Sequence, residues 1–230
     1  MTKTYDVWWQ KGQESDDDMA RDHQEAWERT IEMLDTSDIE GKTILDVGCN
    51  QGGFLRRLYD TTPFKEGVGI DLARLSLEKA ETLKGQRPLT YYLTDKPQET
   101  KHMFDTAVST SVLYLIEDIP QHVKDLKEVL KPGGVYYASF ADLTNNPSRQ
   151  FMDDTINQYG ATPSQNHSLK HIVDSFVDAG FEVAVMKEPV PDVIDLTHYS
   201  DFYLSPNDYL QTLYEESFLI KASVKDGTEK

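Results

Sequence analysis

Short β-rich runs alternate with helical stretches along most of the chain, and this alternation constrains the fold more than any other feature. The helical stretches carry apolar residues at three- and four-residue steps. Such an alternation is typical of a parallel sheet covered by helices on both faces. We therefore predict a doubly wound α/β fold. The predicted strands are 43–48, 67–72, 89–94, 104–110, 135–140, 181–187 and 217–224.

Three segments fall outside the alternation. Residues 16–34 have the apolar spacing of one amphipathic helix, which we expect to cover the sheet or close a site. Residues 141–167 and 188–216 are longer than ordinary connections, and the second is rich in aromatic residues. We expect one domain over 1–230, with an N-terminal lid and helix at 1–37, a ligand-binding core at 38–140 and these two insertions as a cap over a substrate.

The composition excludes several classes of protein. The chain has 230 residues, no run long and apolar enough for a membrane span, and a net charge of −17, which repels nucleic acid. Its single cysteine, Cys49, rules out an internal disulfide, and the histidines lack metal-site spacing. We therefore expect a cytoplasmic protein, monomeric or homodimeric, with no bound metal and no membrane contact, and the charge disfavours a nucleic-acid partner.

The stretch ILDVGCNQGGFLRRL (44–58) joins a hydrophobic strand to a helix through a glycine-rich turn. Gly48 and Gly52 permit the turn and a close approach of backbone to ligand at the carboxyl end of the strand. Asp46 lies beside this turn, where a carboxylate suits a cationic ligand better than a pyrophosphate. Asp71 ends the next strand at the spacing of a carboxylate that binds ribose hydroxyls.

With these motifs the sequence resembles the class I S-adenosylmethionine-dependent methyltransferases. LDVGCNQGG is similar to the family's first motif, VGIDLA to its ribose-binding strand and LTD (93–95) to its adenine loop. FDTAVSTSVLYLIED and LKEVLKPGGVYYASF resemble its fourth and fifth strands with their flanking segments. The resemblance implies six parallel strands with an antiparallel seventh beside the sixth, and S-adenosylmethionine as the cofactor, which leaves as S-adenosylhomocysteine.

The resemblance also implies the cofactor-binding residues. Asp46, Gly48 and the backbone at Cys49 are expected at the methionyl part. Asn50 replaces a family glycine, and Asn tolerates a positive φ better than other non-glycine residues. The remaining expected positions are Gly52 in the turn, Asp71 at the ribose, Leu72 and Asp95 at the adenine, and the Ser109 carbonyl at the methionyl amine.

No general base is indicated by spacing. Leu115 stands where many small-molecule members of the family carry a histidine, and strand four continues as STSV instead of the N/D-P-P-Y/F signature. Candidate bases are His122, Tyr114, His167, His198 and Tyr199, each with packing or surface exposure as the alternative role. Cys49 is expected to pack in the turn.

From these observations we predict methyl transfer to an oxygen or nitrogen of a small molecule. Methylation of a protein or of tRNA is the alternative, and a protein that binds the cofactor without turnover is a third possibility. An NAD-dependent dehydrogenase fits least, because Asp46 lies beside the turn.

Overall fold

The computed structural model describes residues 3–11 and 16–225 and contains a seven-stranded sheet of order β3-β2-β1-β4-β5-β7-β6. The pairings among β1 to β5 are parallel, whereas β7 runs antiparallel to both β5 and β6. This arrangement confirms the predicted six parallel strands and antiparallel seventh. The strands are β1 (Thr43–Val47), β2 (Glu66–Asp71), β3 (Leu89–Leu93), β4 (Phe104–Ser109), β5 (Leu130–Ala141), β6 (Phe181–Lys187) and β7 (Ser217–Val224).

Helices cover the two faces of the sheet. The described chain has α1 (Asp16–Asp22), α2 (Gln24–Met33), α3 (Gly53–Thr61), α4 (Arg74–Leu83), α5 (Ile119–Val129), α6 (Arg149–Tyr159), α7 (Leu169–Asp178) and α8 (Pro206–Gln211). Two apolar clusters pack on the sheet, one including Leu126 and Phe176, the other including Phe54 and Leu58. None of the helices within residues 3–11 and 16–225 is long and apolar enough to cross a bilayer.

Strand order places a ligand crevice above β1 and β4. The chain passes from β1 outward to β2 and β3, then returns to β4 on the other side of β1. Parallel sheets bind ligands where the order reverses, beyond the carboxyl ends of the strands. All five residues of β1 are buried, so its carboxyl end is held firmly from both faces.

Two predictions about helices need correction. The single helix expected at 16–34 is two helices, separated at His23, whose Nδ1 donates to the Met19 carbonyl (2.7 Å). Within the first insertion, α6 was not predicted, because its buried face is small and centres on Thr155 and Ile156. Side-chain caps begin two of the helices, since Asp118 accepts from the Gln121 amide and Ser168 accepts from the His171 amide.

Residues 3–11, here called the strap, lie across the carboxyl edge. Tyr5 pairs with Ala73 at the start of α4, and Trp9 pairs with Gly160 in the first insertion. Trp9 is buried, and its ring lies 5.8 Å from that of Phe202 in the second insertion. The strap therefore joins the strand-β2 end of the crevice to both insertions.

Candidate cofactor site

The glycine-rich turn after β1 is a tight left-handed structure. Gly48, Asn50 and Gly52 have φ values of 73°, 46° and 67°, so Asn50 has the expected positive φ. A Cβ on Gly52 would lie 2.3 Å from the Tyr91 hydroxyl, and one on Gly48 would lie 2.6 Å from Val112. The turn therefore needs glycine at both positions for conformation and for space.

Two carboxylates end the strands beside this turn. Asp46 is 1% exposed, and its Oδ2 has no hydrogen-bond partner among the described residues. Burial, with the nearby charge of Asp71, raises the pKa of Asp46 well above its usual range. Burial also raises the pKa of Asp71, although the Asn50 and Ala73 amides donate to its carboxylate (2.7 and 2.8 Å).

A third buried carboxylate, Asp16 at the start of α1, joins them. It accepts from the Trp9 amide (2.8 Å) in the strap and from the Asn50 side chain (3.0 Å) in the turn. It also accepts from the Ser76 hydroxyl on α4. Asp16, Asp46 and Asp71, here called the acid cluster, form no ion pair with a Lys or Arg of the described chain.

The residues that the sequence predicts at the adenine lie around Tyr5. Leu72 is half-buried, and its carbonyl accepts from the Tyr5 amide (3.0 Å). Asp95 is exposed after β3 and acts electrostatically on the Tyr5 hydroxyl, as do Asp71 and Asp16. Burial is the largest cause of the raised pKa of Tyr5. The structure therefore brings Asp71, Leu72 and Asp95 to one side of the crevice, with Tyr5 among them.

The side chains of Cys49 and Ser109 have different surroundings. Cys49 is buried, and a Cβ on Gly69 would lie 2.6 Å from its sulfur. Burial raises the pKa of this thiol, which disfavours the thiolate that a nucleophile needs. Ser109 ends β4, and its hydroxyl is hydrogen-bonded to Tyr136 in the core. Its side chain is thus engaged away from the crevice, and only its backbone is available there.

The candidate bases are scattered. His122 is buried on α5, with Nε2 3.2 Å from the Tyr136 hydroxyl, and burial lowers its pKa to about 4. A general base must contact the proton that it removes, which argues against this histidine. Tyr199 is half-buried in the second insertion, and the neighbouring His198 is exposed.

Tyr114 and His167 lie closer to the crevice. The Tyr114 carbonyl accepts from the Gln165 amide (2.7 Å), and the His167 Nε2–H donates to the Ile116 carbonyl (2.7 Å). Burial raises the pKa of the Tyr114 hydroxyl, which also interacts electrostatically with Tyr5. Tyr114 therefore lies near the strap, and His167 lies beside the turn after β4.

Sequence reasoning missed the role of Asp16. It was read only as the start of an amphipathic helix, and a carboxylate within the acidic run DDD carries no pattern that separates it from solvated neighbours. Its burial follows from the strap, which is a long-range feature. In the described part of the chain, no group of three or more His, Cys, Asp or Glu is arranged to hold a metal.

The residues present suit S-adenosylmethionine. A buried carboxylate oxygen without a donor is costly, and native proteins usually satisfy such atoms. The unpartnered Oδ2 of Asp46, within an acid cluster free of basic side chains, suits the cationic amino group and sulfonium of this cofactor. Asp71 keeps lone pairs for ribose hydroxyls beyond the two amides that it accepts.

Strand order and the acid-flanked turn define a class I methyltransferase fold. Residues 45–136 match the methyltransferase domain family, and the seven-stranded fold is the one seen in solved S-adenosylmethionine-dependent methyltransferases. A methyltransferase from Haloferax volcanii, solved in complex with the Trm112 methyltransferase activator, superposes with a TM-score of 0.74 at 19% identity, over 91% of this chain and 95% of that one.

Curated relatives match over part of their length. The tRNA U34 carboxymethyltransferase of Klebsiella pneumoniae is 35% identical over 47% of this chain and 33% of its own length. Phosphoethanolamine N-methyltransferase 1 of Zea mays is 24% identical over 83% of this chain and 39% of its own length. The chain thus spans roughly a third of the length of these relatives.

Proposed function

We propose that this chain transfers a methyl group from S-adenosylmethionine to an oxygen or nitrogen atom of a small molecule. The observation that carries the proposal is the buried Oδ2 of Asp46, which lacks a partner beside a glycine-rich turn. A carboxylate that is costly to bury alone gains most from a cationic ligand. The family match over residues 45–136 supports the same cofactor.

In this proposal, residues 38–140 hold the cofactor. Asp46 binds the amino group, the Gly48 to Gly52 turn lies along the methionyl part, and Asp71 accepts from the ribose hydroxyls. The adenine lies against Leu72, with its exocyclic amine near Asp95. The Cys49 backbone and the Ser109 carbonyl complete the methionyl side.

The bound cofactor supplies an activated methyl group on a sulfonium, which carries its own leaving group. The work left to the chain is to align the acceptor and to exclude water. The strap suits this work, because Asp16 ties its Trp9 amide to Asn50 in the turn (2.8 and 3.0 Å). An ordered strap over the acid cluster keeps solvent from the reacting atoms.

The acceptor site in this proposal lies under the cap, formed by residues 141–167 and 188–216. The buried Nε1 of Trp8 in the strap has no hydrogen-bond partner in the part of the chain that the structure describes, so a bound acceptor with an oxygen or nitrogen atom can satisfy it. Tyr114 and His167 are the candidates to orient the acceptor or to take its proton. His122 is excluded from this role by its burial in the core.

A small acceptor is favoured over tRNA by charge. The net charge of −17 opposes the approach of a polyanion. The Zea mays relative, whose name specifies phosphoethanolamine, matches 83% of the chain. The Klebsiella relative, whose name specifies tRNA, matches 47%, confined to about one half. Transfer to tRNA is therefore the second candidate. In a variant of either candidate, a partner subunit activates the chain.

Turnover distinguishes these candidates. The purified chain is incubated with S-adenosylmethionine and either a panel of small amines, alcohols and phenols or bulk tRNA, and S-adenosylhomocysteine is measured by mass spectrometry. We expect acceptor-dependent product with at least one small compound, and its loss in Asp71→Ala. Product with tRNA alone would support the second candidate. Cofactor binding without turnover in either arm would support a binding protein.

A further inference from the structure

A cleft of about 520 Å³ lies between the α1–α2 pair and α3, outside the candidate cofactor site. Its lining extends along α3 from Gly53 in the first turn to Thr61 in the last. None of the residues assigned to the cofactor lines it. Its volume falls within the range of small-ligand sites, roughly 300 to 1,000 Å³.

Arginines are concentrated in this cleft. Arg21, Arg56, Arg57 and Arg87 line it, which is four of the seven arginines in the chain. Asp17 and Asp60 are the carboxylates in the same lining. In a chain with a net charge of −17, a concave surface with more arginines than acids is a local exception to the overall charge.

The four guanidinium groups are engaged to different degrees. Arg87 pairs with Asp60 through two hydrogen bonds (2.8 and 2.7 Å) and thereby lowers the pKa of that carboxyl. Arg57 pairs with Glu28, whose side chain is 52% exposed. Exposed pairs of this kind contribute little and exchange readily with another anion.

Arg21 and Arg56 complete the set. Arg21 pairs with Asp18, and its side chain is 66% exposed. Arg56 donates to the Gln51 carbonyl and forms no ion pair within the described chain. Its guanidinium also interacts with the Tyr91 hydroxyl, and it lies beside Arg57 on the same helix.

We propose that this cleft binds the phosphate group of a small phosphorylated compound. The planar guanidinium fork matches phosphate oxygens with paired hydrogen bonds, and several arginines here face one concave space. The Trp27 ring forms a wall against Gly53, since a Cβ on that glycine would lie 2.5 Å from it. The overall negative charge opposes an RNA backbone, so a single phosphate on a small compound fits better.

This inference does not rest on the proposed methyl transfer, because the cleft contains no cofactor residue. Its test is therefore made without S-adenosylmethionine. Inorganic phosphate and glycerol 3-phosphate are titrated into the ¹⁵N-labelled chain at constant ionic strength, with sodium chloride as the reference salt. The Gly53 amide and the Trp27 indole N–H report on the cleft.

We expect saturable shifts of these two signals with both phosphates and none with chloride. Arg56→Gln should weaken the phosphate affinity about tenfold or more, because it removes charge-assisted hydrogen bonds. The control is Arg74→Gln, an arginine outside the cleft that pairs with Asp6 and Glu78. It should change the affinity less than twofold. If Arg56→Gln perturbs the fold by circular dichroism, Arg57→Gln replaces it.

Two results would overturn the proposal. In the first, the signals do not shift, or the cleft variants bind phosphate as the wild type does. In the second, a short single-stranded RNA shifts the same signals at lower concentration than glycerol 3-phosphate, which would assign the cleft to nucleic acid.

Discussion

Buried acids occur in two regions of this molecule, and they are stabilised differently. In the cap, Glu216 is 7% exposed and accepts from Asn146 (2.8 Å) and Gln211 (2.6 Å). At the carboxyl edge, Asp46 is 1% exposed, and no donor in residues 3–11 or 16–225 reaches its Oδ2. Satisfied buried acids hold two insertions together, whereas an unsatisfied one indicates a ligand. The contrast distinguishes buried acids that stabilise the fold from a buried acid that is placed to bind a ligand.

The cap network ties both insertions to each other. Asn146 belongs to the first insertion, and its amide lies within hydrogen-bond distance of Thr212 (3.1 Å) and Glu216 in the second. Ser148 adds a hydrogen bond to the buried Asp208. No comparable set of neutral donors surrounds Asp46, whose electrostatic neighbour is another acid, Asp71.

The largest effect is expected in the cap. Asn146→Ala removes one of the donors to the buried Glu216, together with the hydrogen bonds to the Asp208 carbonyl and the Ser148 amide, and should lower the free energy of unfolding by about 4 kcal/mol. The control is Asn145→Ala at the exposed neighbouring position, with a change below about 0.5 kcal/mol. Urea denaturation measures both. Equal effects of the two variants would remove the distinction between the regions.

The buried His122 makes the fold sensitive to acid. Its pKa in the folded state, about 4, lies below its unfolded value of 6.5, so the unfolded chain binds the proton more readily between these values. Stability from this group is therefore complete above pH 6.5 and falls by about 3 kcal/mol as the pH drops to 4.

His122→Leu should remove this loss while keeping an apolar side chain in the core. Unfolding measured from pH 4 to 7 checks the slope in both proteins. An unchanged slope in the variant would show that other groups cause the acid sensitivity.

A substitution in the glycine-rich turn should have an intermediate effect on the stability of the fold. Gly52→Ala combines a positive φ with a Cβ against Tyr91, whereas Gly41→Ala has a similar φ (68°) and no atom within 4 Å. We expect a loss of about 1 kcal/mol for Gly41→Ala and about 3 kcal/mol for Gly52→Ala. Thermal denaturation of both variants isolates the steric part. Equal losses would mean that Tyr91 moves aside freely.

The smallest expected change has the opposite sign. The raised pKa of Asp46 means that the folded chain holds this proton more tightly than the unfolded chain, so its contribution to stability falls as pH rises above its unfolded value. Asp46→Asn should therefore stabilise the ligand-free protein by about 1 kcal/mol at pH 7. The same variant should bind S-adenosylmethionine more weakly. A destabilised variant with unchanged binding would make Asp46 a structural acid like Glu216.

The two regions also differ in what the sequence predicts. The residues from Asp46 to Asp71 that we propose for the cofactor follow from one strand, one turn and the next strand, so local patterns place them together. All seven strands were predicted, because β-rich runs and turn residues are local signals.

The cap and the strap depend on long-range contacts instead. The hydrogen bond between Asn146 and Glu216 and the burial of Asp16 join segments that no spacing relates. For the same reason, His122 was a candidate base by residue type alone, although its position on α5 buries it in the core.

The central claim is that the acid-flanked turn binds S-adenosylmethionine. Calorimetric titration of S-adenosylmethionine, S-adenosylhomocysteine and NAD into the wild type, Asp71→Ala and the exposed control Asp22→Ala tests it directly. The account predicts binding of both sulfur compounds but not NAD, weakened about a hundredfold in Asp71→Ala and unchanged in Asp22→Ala. Absence of binding by the wild type, or equal affinity in Asp71→Ala, would contradict it.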